Sequence, residues 1–499
     1  MPDTSSAFPS TVDILIVGAG FAGLAMAIKL KQAGMTSFAI IEKGPEVGGT
    51  WRDNHYPGAA CDIPSHLYSL SFEPKTDWSR MYPGHAELQD YLKGITDKHG
   101  LRPKIRFDTA LRDATYDEKA CLWRVGLDGG GTITARVVIS AIGALHEPSI
   151  PHLPGIETFR GTTFHSAAWD HDYDLRGKRI AVIGTGASAI QFVPKIAPDV
   201  KQLFVFQRTA PWINPKKDYP IDARRQWRMK HIPFYRRLLR WRLFWLHEFR
   251  VIGFTGNFKV MKLAERFANS YRERKIADPA LRAKLTPSYL LGCKRVLISN
   301  DYYPTFARKN VELVTSAIAE VTADRIVTKD GTARTVDAIV YGTGFKATDT
   351  ARYGRIRGVG GVELAEAWAK GGRAFWGIGM TGFPNYFMLL GPNTGLGHNS
   401  VVIMIEAQVR YIMSALKQMR RRKIRAINVL PQSAARYADM LERRMAKTVW
   451  QKGGCQSWYQ DEQGRNTTMW PGSVVEYVLR THAASLSNFS LTPESTIHG

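Results

Sequence analysis

Twice along this chain a short apolar run ends in a glycine cluster, a periodic apolar segment follows, and a second apolar run closes the pattern. The first copy is Val12-Asp-Ile-Leu-Ile-Val17, then Gly18-Ala-Gly-Phe-Ala-Gly23, a segment running through Leu24, Ile28 and Leu30, and Phe38-Ala-Ile-Ile41. The second is Arg179-Ile-Ala-Val-Ile183, then Gly184-Thr-Gly-Ala-Ser-Ala189, a helix-like stretch to Ile196, and Leu203-Phe-Val-Phe206. Each reads as strand, helix, strand. Two such units predict an α/β protein with two nucleotide-binding Rossmann-like domains.

The glycines have separate duties. The first makes the tight turn, the second lets a pyrophosphate approach the backbone, and the third lets helix and strand pack closely. The helix start then offers free N–H groups and a positive dipole end. In the first motif this role falls to Gly18, Gly20, Phe21, Ala22 and Gly23, and Glu42 ends the following strand. A carboxylate there accepts hydrogen bonds from ribose hydroxyls and repels a 2′-phosphate. Gly48-Gly49-Thr50-Trp51 and the run Val137-Val-Ile-Ser-Ala-Ile-Gly143 favour FAD over NAD as its ligand. The second motif offers Gly184, Thr185, Gly186, Ala187, Ser188 and Ala189, and its next strand ends in Gln207-Arg208-Thr209 with no acid. An arginine there suits the 2′-phosphate of NADPH.

Pro and Gly mark the joints at Glu147-Pro-Ser-Ile-Pro-His-Leu-Pro-Gly155 and at Gly342-Thr-Gly344. The expected organisation is an FAD domain over 1–150, an NADP domain over 151–336 inserted in it, and a return to the FAD domain with a C-terminal loop over 337–499. A helical insert over about 222–285 interrupts the second domain. At 499 residues the chain can bury large cores without staples. Its four cysteines, Cys61, Cys121, Cys293 and Cys455, show no CxxC spacing. That argues against a disulfide framework and a cysteine metal site, and fits a cytoplasmic protein. No uncharged apolar stretch is long enough to span a membrane.

Between the glycine motifs lies Phe159-Arg-Gly-Thr-Thr-Phe-His-Ser-Ala-Ala-Trp-Asp170. This resembles the FxGxxxHxxxW[PD] signature of type I Baeyer–Villiger monooxygenases. The related flavin-containing monooxygenases carry a similar segment without Trp followed by Pro or Asp. The resemblance extends over Gly48-Gly-Thr-Trp51, Tyr56-Pro-Gly-Ala-Ala-Cys-Asp-Ile63, Lys294-Arg295 before Asp301-Tyr-Tyr303, Gly342-Thr-Gly344 and Gly391-Pro-Asn393. One departure is Gly342, where the family often has Ala.

The resemblance implies oxidation of a ketone to an ester or lactone with NADPH and O₂, through a C4a-peroxyflavin. It implies that Arg295 is the catalytic arginine, that Asp62 positions it, and that His165 serves a linker rather than a general base. Around FAD it adds Gly49, Thr50, Trp51, Asp62, Tyr68 and Leu111. Around NADP it adds Arg208, Thr209, Lys294, Arg295 and Trp458, the last in a loop that closes over the cofactor. The alternative enzyme is a monooxygenase acting on nitrogen or sulfur. A flavin disulfide reductase needs a paired cysteine motif, which Cys61 lacks.

The formal net charge is +24, which favours anionic partners. Residues 224–250 hold nine Lys/Arg and one acid, Glu248, among Trp227, Phe234, Tyr235, Trp241, Phe244 and Trp245. A second basic run is Lys417 to Arg425. The expected reading is helices packed by their apolar faces with solvated basic faces. The alternative is a weak membrane-surface contact. No nucleic-acid-binding module accompanies the charge, and the sequence carries no signal for an oligomeric state.

Overall fold

The computed structural model describes residues 8–349, 353–461 and 463–494. Two parallel-cored sheets organise it. The first runs in the order Arg355–Arg357, Leu111–Asp117, Leu122–Leu127, Thr132–Ser140, Thr11–Val17, Phe38–Ile41, Ile105–Arg106. Tyr386–Met388 also pairs with Thr132–Ser140. The second runs Val311–Val314, Gln202–Phe206, Arg179–Ile183, Ala338–Tyr341, Thr162–His165, all parallel. Both central strands are buried on both faces: Leu15, Ile16, Ile180, Ala181 and Val182 have no exposure. That is why they read as unbroken apolar runs rather than alternating ones.

Register brings the glycine motifs and their partner residues to the strand ends. Val17 pairs with Ile41 on one side and Ser140 on the other, so Gly18 and Glu42 emerge side by side. Ile183 pairs with Phe206 and Tyr341, so Gly184, Gln207 and Gly342 share one edge. Parallel sheets bind nucleotides beyond their carboxyl ends at such edges.

Ala338–Tyr341 belongs to the second sheet, wedged between Arg179–Ile183 and Thr162–His165. The return to the first domain therefore lies after Tyr341 and not at 337. A short buried apolar run fits the interior of either sheet, and only pairing distinguishes them. The two connecting segments run together, with Ser149 N–H donating to Gly344 O at 2.8 Å and Lys346 N–H to Glu147 O at 2.9 Å.

The segment 222–285 is helical: Ala223–His231, Pro233–Glu248, Val251–Phe254, Phe258–Lys275 and Pro279–Lys284. The expectation that its apolar face is covered holds only in part. Leu243 is buried against Leu67 and Met81, but Trp227, Phe234, Leu238 and Trp241 are 56–79% exposed. Aromatic and basic residues alternate closely enough here that both faces of the helix carry apolar side chains, and the sequence does not say which face is buried. Among the described residues no helix is long and apolar enough to cross a membrane.

Candidate active site

The glycine loops separate into packing glycines and open ones. Gly18 has φ +104°, and a Cβ there would lie 2.7 Å from the Ala141 carbonyl oxygen. A Cβ on Gly23 would run into the Gly18 carbonyl. These two glycines are required by the protein's own backbone. Gly20 differs: its nearest neighbours would be Gly48 O and Gly49 Cα, both at 3.9 Å. The bare backbone at Gly20 is thus not required by protein packing, and it lies in close approach to Gly48-Gly49. The Phe21–Gln32 helix starts here with no side-chain cap and no acid in its first turn, so its first N–H groups are available to a phosphate.

The second motif repeats the division. A Cβ on Gly184 would strike the Gly342 carbonyl, whereas one on Gly186 would meet only Gly342 O at 3.8 Å. The loop also explains the departure at Gly342. Ala189 takes the place of the third glycine, and an alanine Cβ at 342 would stand 3.1 Å from the Ala189 Cβ. The extra methyl at 189 is matched by the missing one at 342.

Glu42 is buried, with Oε2 accepting from Ala19 N–H at 2.7 Å and Oε1 from Gly44 N–H at 2.9 Å. Arg52 donates to Oε1 at 2.8 Å and is held also by Asp53. Burial disfavours the Arg52 charge, but the Asp53 and Glu42 carboxylates outweigh it and raise its pKa. Among the described residues Oε2 accepts only from Ala19, which leaves it capacity for a ribose hydroxyl. Tyr68 meets Phe21 edge-on at 5.2 Å and Trp51 at 5.6 Å, joining those three predicted residues in one wall. Thr50 and Trp51 start a short helix over Thr50–Asp53. Leu111 starts its strand two residues after Thr109, whose N–H donates to Glu42 O.

Arg295 and Asp62 form a two-pronged pair, Nε to Oδ2 at 2.8 Å and Nη2 to Oδ1 at 2.7 Å. Such forked pairs are among the strongest charge-assisted hydrogen bonds and fix the guanidinium plane. The Asp62 charge raises the Arg295 pKa, against the opposing effect of burial. The pair still keeps 36% and 25% of its side-chain surface accessible.

Both residues sit on anchored segments. Tyr56 donates to Gln191 Oε1 at 2.9 Å, and Gln191 Nε2 donates to Ala60 O at 3.0 Å, which docks the 56–62 loop onto the Ala189–Ile196 helix. Arg295 lies two residues before Leu297–Ile298, which pairs with Ile213–Asn214. Asp62 also lies close enough to raise the Tyr68 pKa from one side and the Tyr56 pKa from the other, both already raised mainly by burial. The ion pair's loop is thus docked on the second motif's helix, and Asp62 acts electrostatically on Tyr68 of the first motif's wall.

Lys294 and Arg208 are electrostatic neighbours. The Lys294 pKa is lowered by burial first and then by the Arg208 charge. Among the described residues neither has a carboxylate within ion-pair distance, and the Lys294 ammonium lies over the Tyr289 ring at 5.0 Å. Thr185 Oγ1 donates to Thr209 O at 3.3 Å, which holds the Arg208 turn against the second glycine loop. Ala187 and Ser188 complete that loop ahead of the Ala189–Ile196 helix.

His165 ends its strand beside Tyr341, its Nδ1 accepting from Ala167 N–H at 3.1 Å and its ring against Phe345 at 5.7 Å. Trp169 packs on Phe164 and Phe192 in the second core. The signature segment thus shapes the connection between the sheets. Asn393, at φ +55°, donates from Nδ2 to Asn466 O and Met469 O and so clamps the C-terminal segment.

Sequence reasoning missed three features. Arg52 and Tyr459 belong to no local pattern that marks them out. Tyr459 is buried beside Arg295, and burial pushes its hydroxyl up to about 12. Trp458, by contrast, is 41% exposed and packs on Tyr459 at 4.5 Å. The third corrects the reading of the cysteines: Cys293 and Cys455 form a disulfide, with Cα atoms 6.1 Å apart across 162 residues of sequence. It ties the Lys294-Arg295 segment to the loop of Trp458 and Tyr459. Cys61 and Cys121 remain free and buried. Alkylation of the denatured, unreduced protein should therefore label two thiols, and reduction should raise this to four. Four thiols without reductant would contradict the pairing.

Similarity to known proteins decides the family. A Baeyer–Villiger monooxygenase of Pseudomonas aeruginosa is 46% identical over 96% of this chain and 91% of its own length. The chain belongs to the Baeyer–Villiger monooxygenase family. A second Baeyer–Villiger monooxygenase, from Streptomyces coelicolor, is 44% identical over 96% of this chain and 92% of its own. Among solved structures, oxidized steroid monooxygenase bound to NADP superposes with a TM-score of 0.86 at 31% identity, covering 97% of this chain and 99% of that one. The closed form of cyclohexanone monooxygenase gives 0.87 at 29% identity, covering 97% and 99%. The family described as pyridine nucleotide-disulphide oxidoreductase matches residues 15–233, a span that holds both glycine motifs. The α/β architecture with two Rossmann-like cores is that of the Baeyer–Villiger enzymes.

Proposed function

We propose that this chain is an FAD- and NADPH-dependent Baeyer–Villiger monooxygenase converting ketones to esters or lactones with O₂. The observation that carries the reading is the forked Asp62–Arg295 pair together with two glycine loops whose bare backbones at Gly20 and Gly186 no protein packing requires. The residues fit the cofactors. Gly18, Gly20, Gly23, Glu42, Gly49 and Tyr68 would hold FAD, and Gly184, Gly186, Arg208, Thr209 and Lys294 would hold NADP. Bound flavin, once reduced by the nicotinamide, supplies the activation of oxygen.

The chain's own part is positional and electrostatic. Arg295 stays protonated, and its fixed charge stabilises negative charge that develops on oxygen as the ketone is attacked. Asp62 aligns the guanidinium without taking its proton. The Tyr459 hydroxyl remains neutral at physiological pH, so it adds no competing negative charge beside Arg295. Trp450, Tyr459 and Trp470 are buried in the C-terminal segment and help exclude water there. The same proposal puts the chain in the cytoplasm on the ground of its reductant, NADPH, alone; the Cys293–Cys455 bond removes the support that the cysteines gave.

The phosphate site gives a separable test. A charge-assisted hydrogen bond is worth about 1.5–3 kcal/mol, or roughly ten- to a hundredfold in affinity. Arg208→Ala should raise the KM for NADPH by that factor in steady-state assays and leave NADH use unchanged. Equal loss with both cofactors would assign Arg208 a structural role. The product profile of a ketone panel supplied with NADPH, covering linear, cyclic and aryl ketones, tests the reaction itself.

A further inference from the structure

Outside the site, one face of the helical insert is unlike the rest of the surface. Trp227, His231, Phe234, Leu238, Trp241 and Trp245 recur at steps of three and four residues, and Phe249 and Ile252 continue the stripe. On the Pro233–Glu248 helix Phe234, Leu238, Trp241 and Trp245 share one face, and Trp227, His231, Phe249 and Ile252 lie on the short helices and the turn at its two ends. The stripe points outward: Phe234 is 79% exposed, Leu238 63%, Trp241 60% and Phe249 63%. The rings touch one another, Trp241 against Trp245 and Trp245 against Phe249, and half-buried Trp245 joins them to Phe244, which packs on the core. On the Phe258–Lys275 helix a second exposed set, Val260, Leu263 and Phe267, lies among Lys259, Lys262 and Arg266. Isolated exposed apolar residues need no explanation, but contiguous ones mark an interaction surface.

The charges flanking the stripe identify the partner. Residues 224–250 carry nine Lys/Arg, and their one acid, Glu248, is buried and bonded to Asn399 and Val475 N–H. Beside the stripe a cavity of about 140 Å³ is lined by His66, Ser71, Lys75, Arg236, Arg237 and Arg240. Arg240 is engaged with the His66 and Ser69 carbonyls and lies 3.9 Å from Glu406, and Lys75 pairs with Asp77. Among the described residues Arg236 and Arg237 have no carboxylate within ion-pair distance. A second copy of the chain would bring the same cations against these and is disfavoured by like charge. A surface that is apolar a few ångströms deep and anionic at its boundary complements both features.

We infer that this face of the helical insert is a docking surface for anionic phospholipid membranes. The exposed Trp, Phe and Leu side chains enter the headgroup layer, and Arg236 and Arg237 take lipid phosphates. The inference is independent of the chemistry at Arg295.

Full-length protein mixed with phosphatidylcholine vesicles, with or without phosphatidylglycerol, tests it by flotation. Binding should require phosphatidylglycerol and weaken as salt is raised. The variant Phe234→Ser/Leu238→Ser/Trp241→Ser should bind at least about a hundredfold more weakly. Arg236→Gln/Arg237→Gln should lose about 25-fold, at roughly fivefold per basic residue. Phe234→Ser alone, at the most exposed position, should show a smaller loss and guards against misfolding of the triple variant. Absence of binding to phosphatidylglycerol vesicles, equal binding without it, or parental binding by Phe234→Ser and the triple variant alike would overturn the inference. So would a concentration-dependent dimer that the triple substitution abolishes while vesicles leave the parent unbound, since the occupant would then be a second copy.

Discussion

Arg295→Ala should abolish ester formation while sparing the reductive half of the cycle. Loss of one preorganised electrostatic partner costs about 10²–10³ in rate. Here the loss is compounded, because Asp62 is left with an unpaired, three-quarters-covered carboxylate whose negative charge would stand where positive charge is needed. Hydride transfer from nicotinamide needs a correctly seated cofactor and no positive charge at this point. The variant should therefore still bleach its flavin absorbance on mixing with NADPH, then consume oxygen and release hydrogen peroxide in place of ester. Stopped-flow absorbance and product chromatography on one preparation separate the two halves. Arg295→Lys keeps the charge but not the forked geometry, and should recover only a small part of the lost rate. Parental ester formation by Arg295→Ala would remove this residue from the mechanism.

Gly20→Val should yield a folded protein without flavin. The backbone at Gly20 has room for a Cβ, with Gly48 O and Gly49 Cα at ordinary van der Waals distance. The branched γ-carbons would project where a pyrophosphate must meet the helix N-terminus. Each charge-assisted hydrogen bond to the pyrophosphate that is broken costs about 1.5–3 kcal/mol, so FAD affinity should fall more than about a hundredfold. Gly23→Val is the contrasting case. Its Cβ would collide with the Gly18 carbonyl, so that variant should fail to fold rather than fold empty. Absorbance at the flavin band and the thermal transition, measured together, distinguish the outcomes. Full FAD occupancy in Gly20→Val would reassign the first glycine motif.

What could be read from the sequence follows from what is local. Gly18, Glu42, Gly184 and Arg208 lie at fixed steps along strand–helix–strand units, so periodicity alone brings them to the strand ends. Arg295 and Asp62 are 233 residues apart in sequence; only the family resemblance paired them, because no local pattern couples a loop aspartate to a distant arginine. The Cys293–Cys455 bond eluded spacing rules for the same reason. The strand Ala338–Tyr341 was legible as a strand but not as a member of the second sheet, since partner choice is set by the fold. The outward stripe on the insert was hidden by composition: a helix with apolar residues on two faces gives one sequence signal whichever face is covered. The place of Tyr459 beside Arg295 comes from the Cys293–Cys455 bond together with the Asn393 clamp on the C-terminal segment, an arrangement set only by tertiary structure.

The most direct test of the central claim is the fate of isotopically labelled O₂ in a reaction with NADPH and a ketone that the panel identifies as a substrate. One labelled atom should appear in the ester or lactone product, inserted beside the former carbonyl, and the other should leave as water. The carbonyl oxygen should remain unlabelled, and NADPH, oxygen and ester should be consumed and formed in equal amounts. Turnover that yields only hydrogen peroxide across the whole panel, or a sulfoxide from a sulfide with no ester from any ketone, would contradict the assignment.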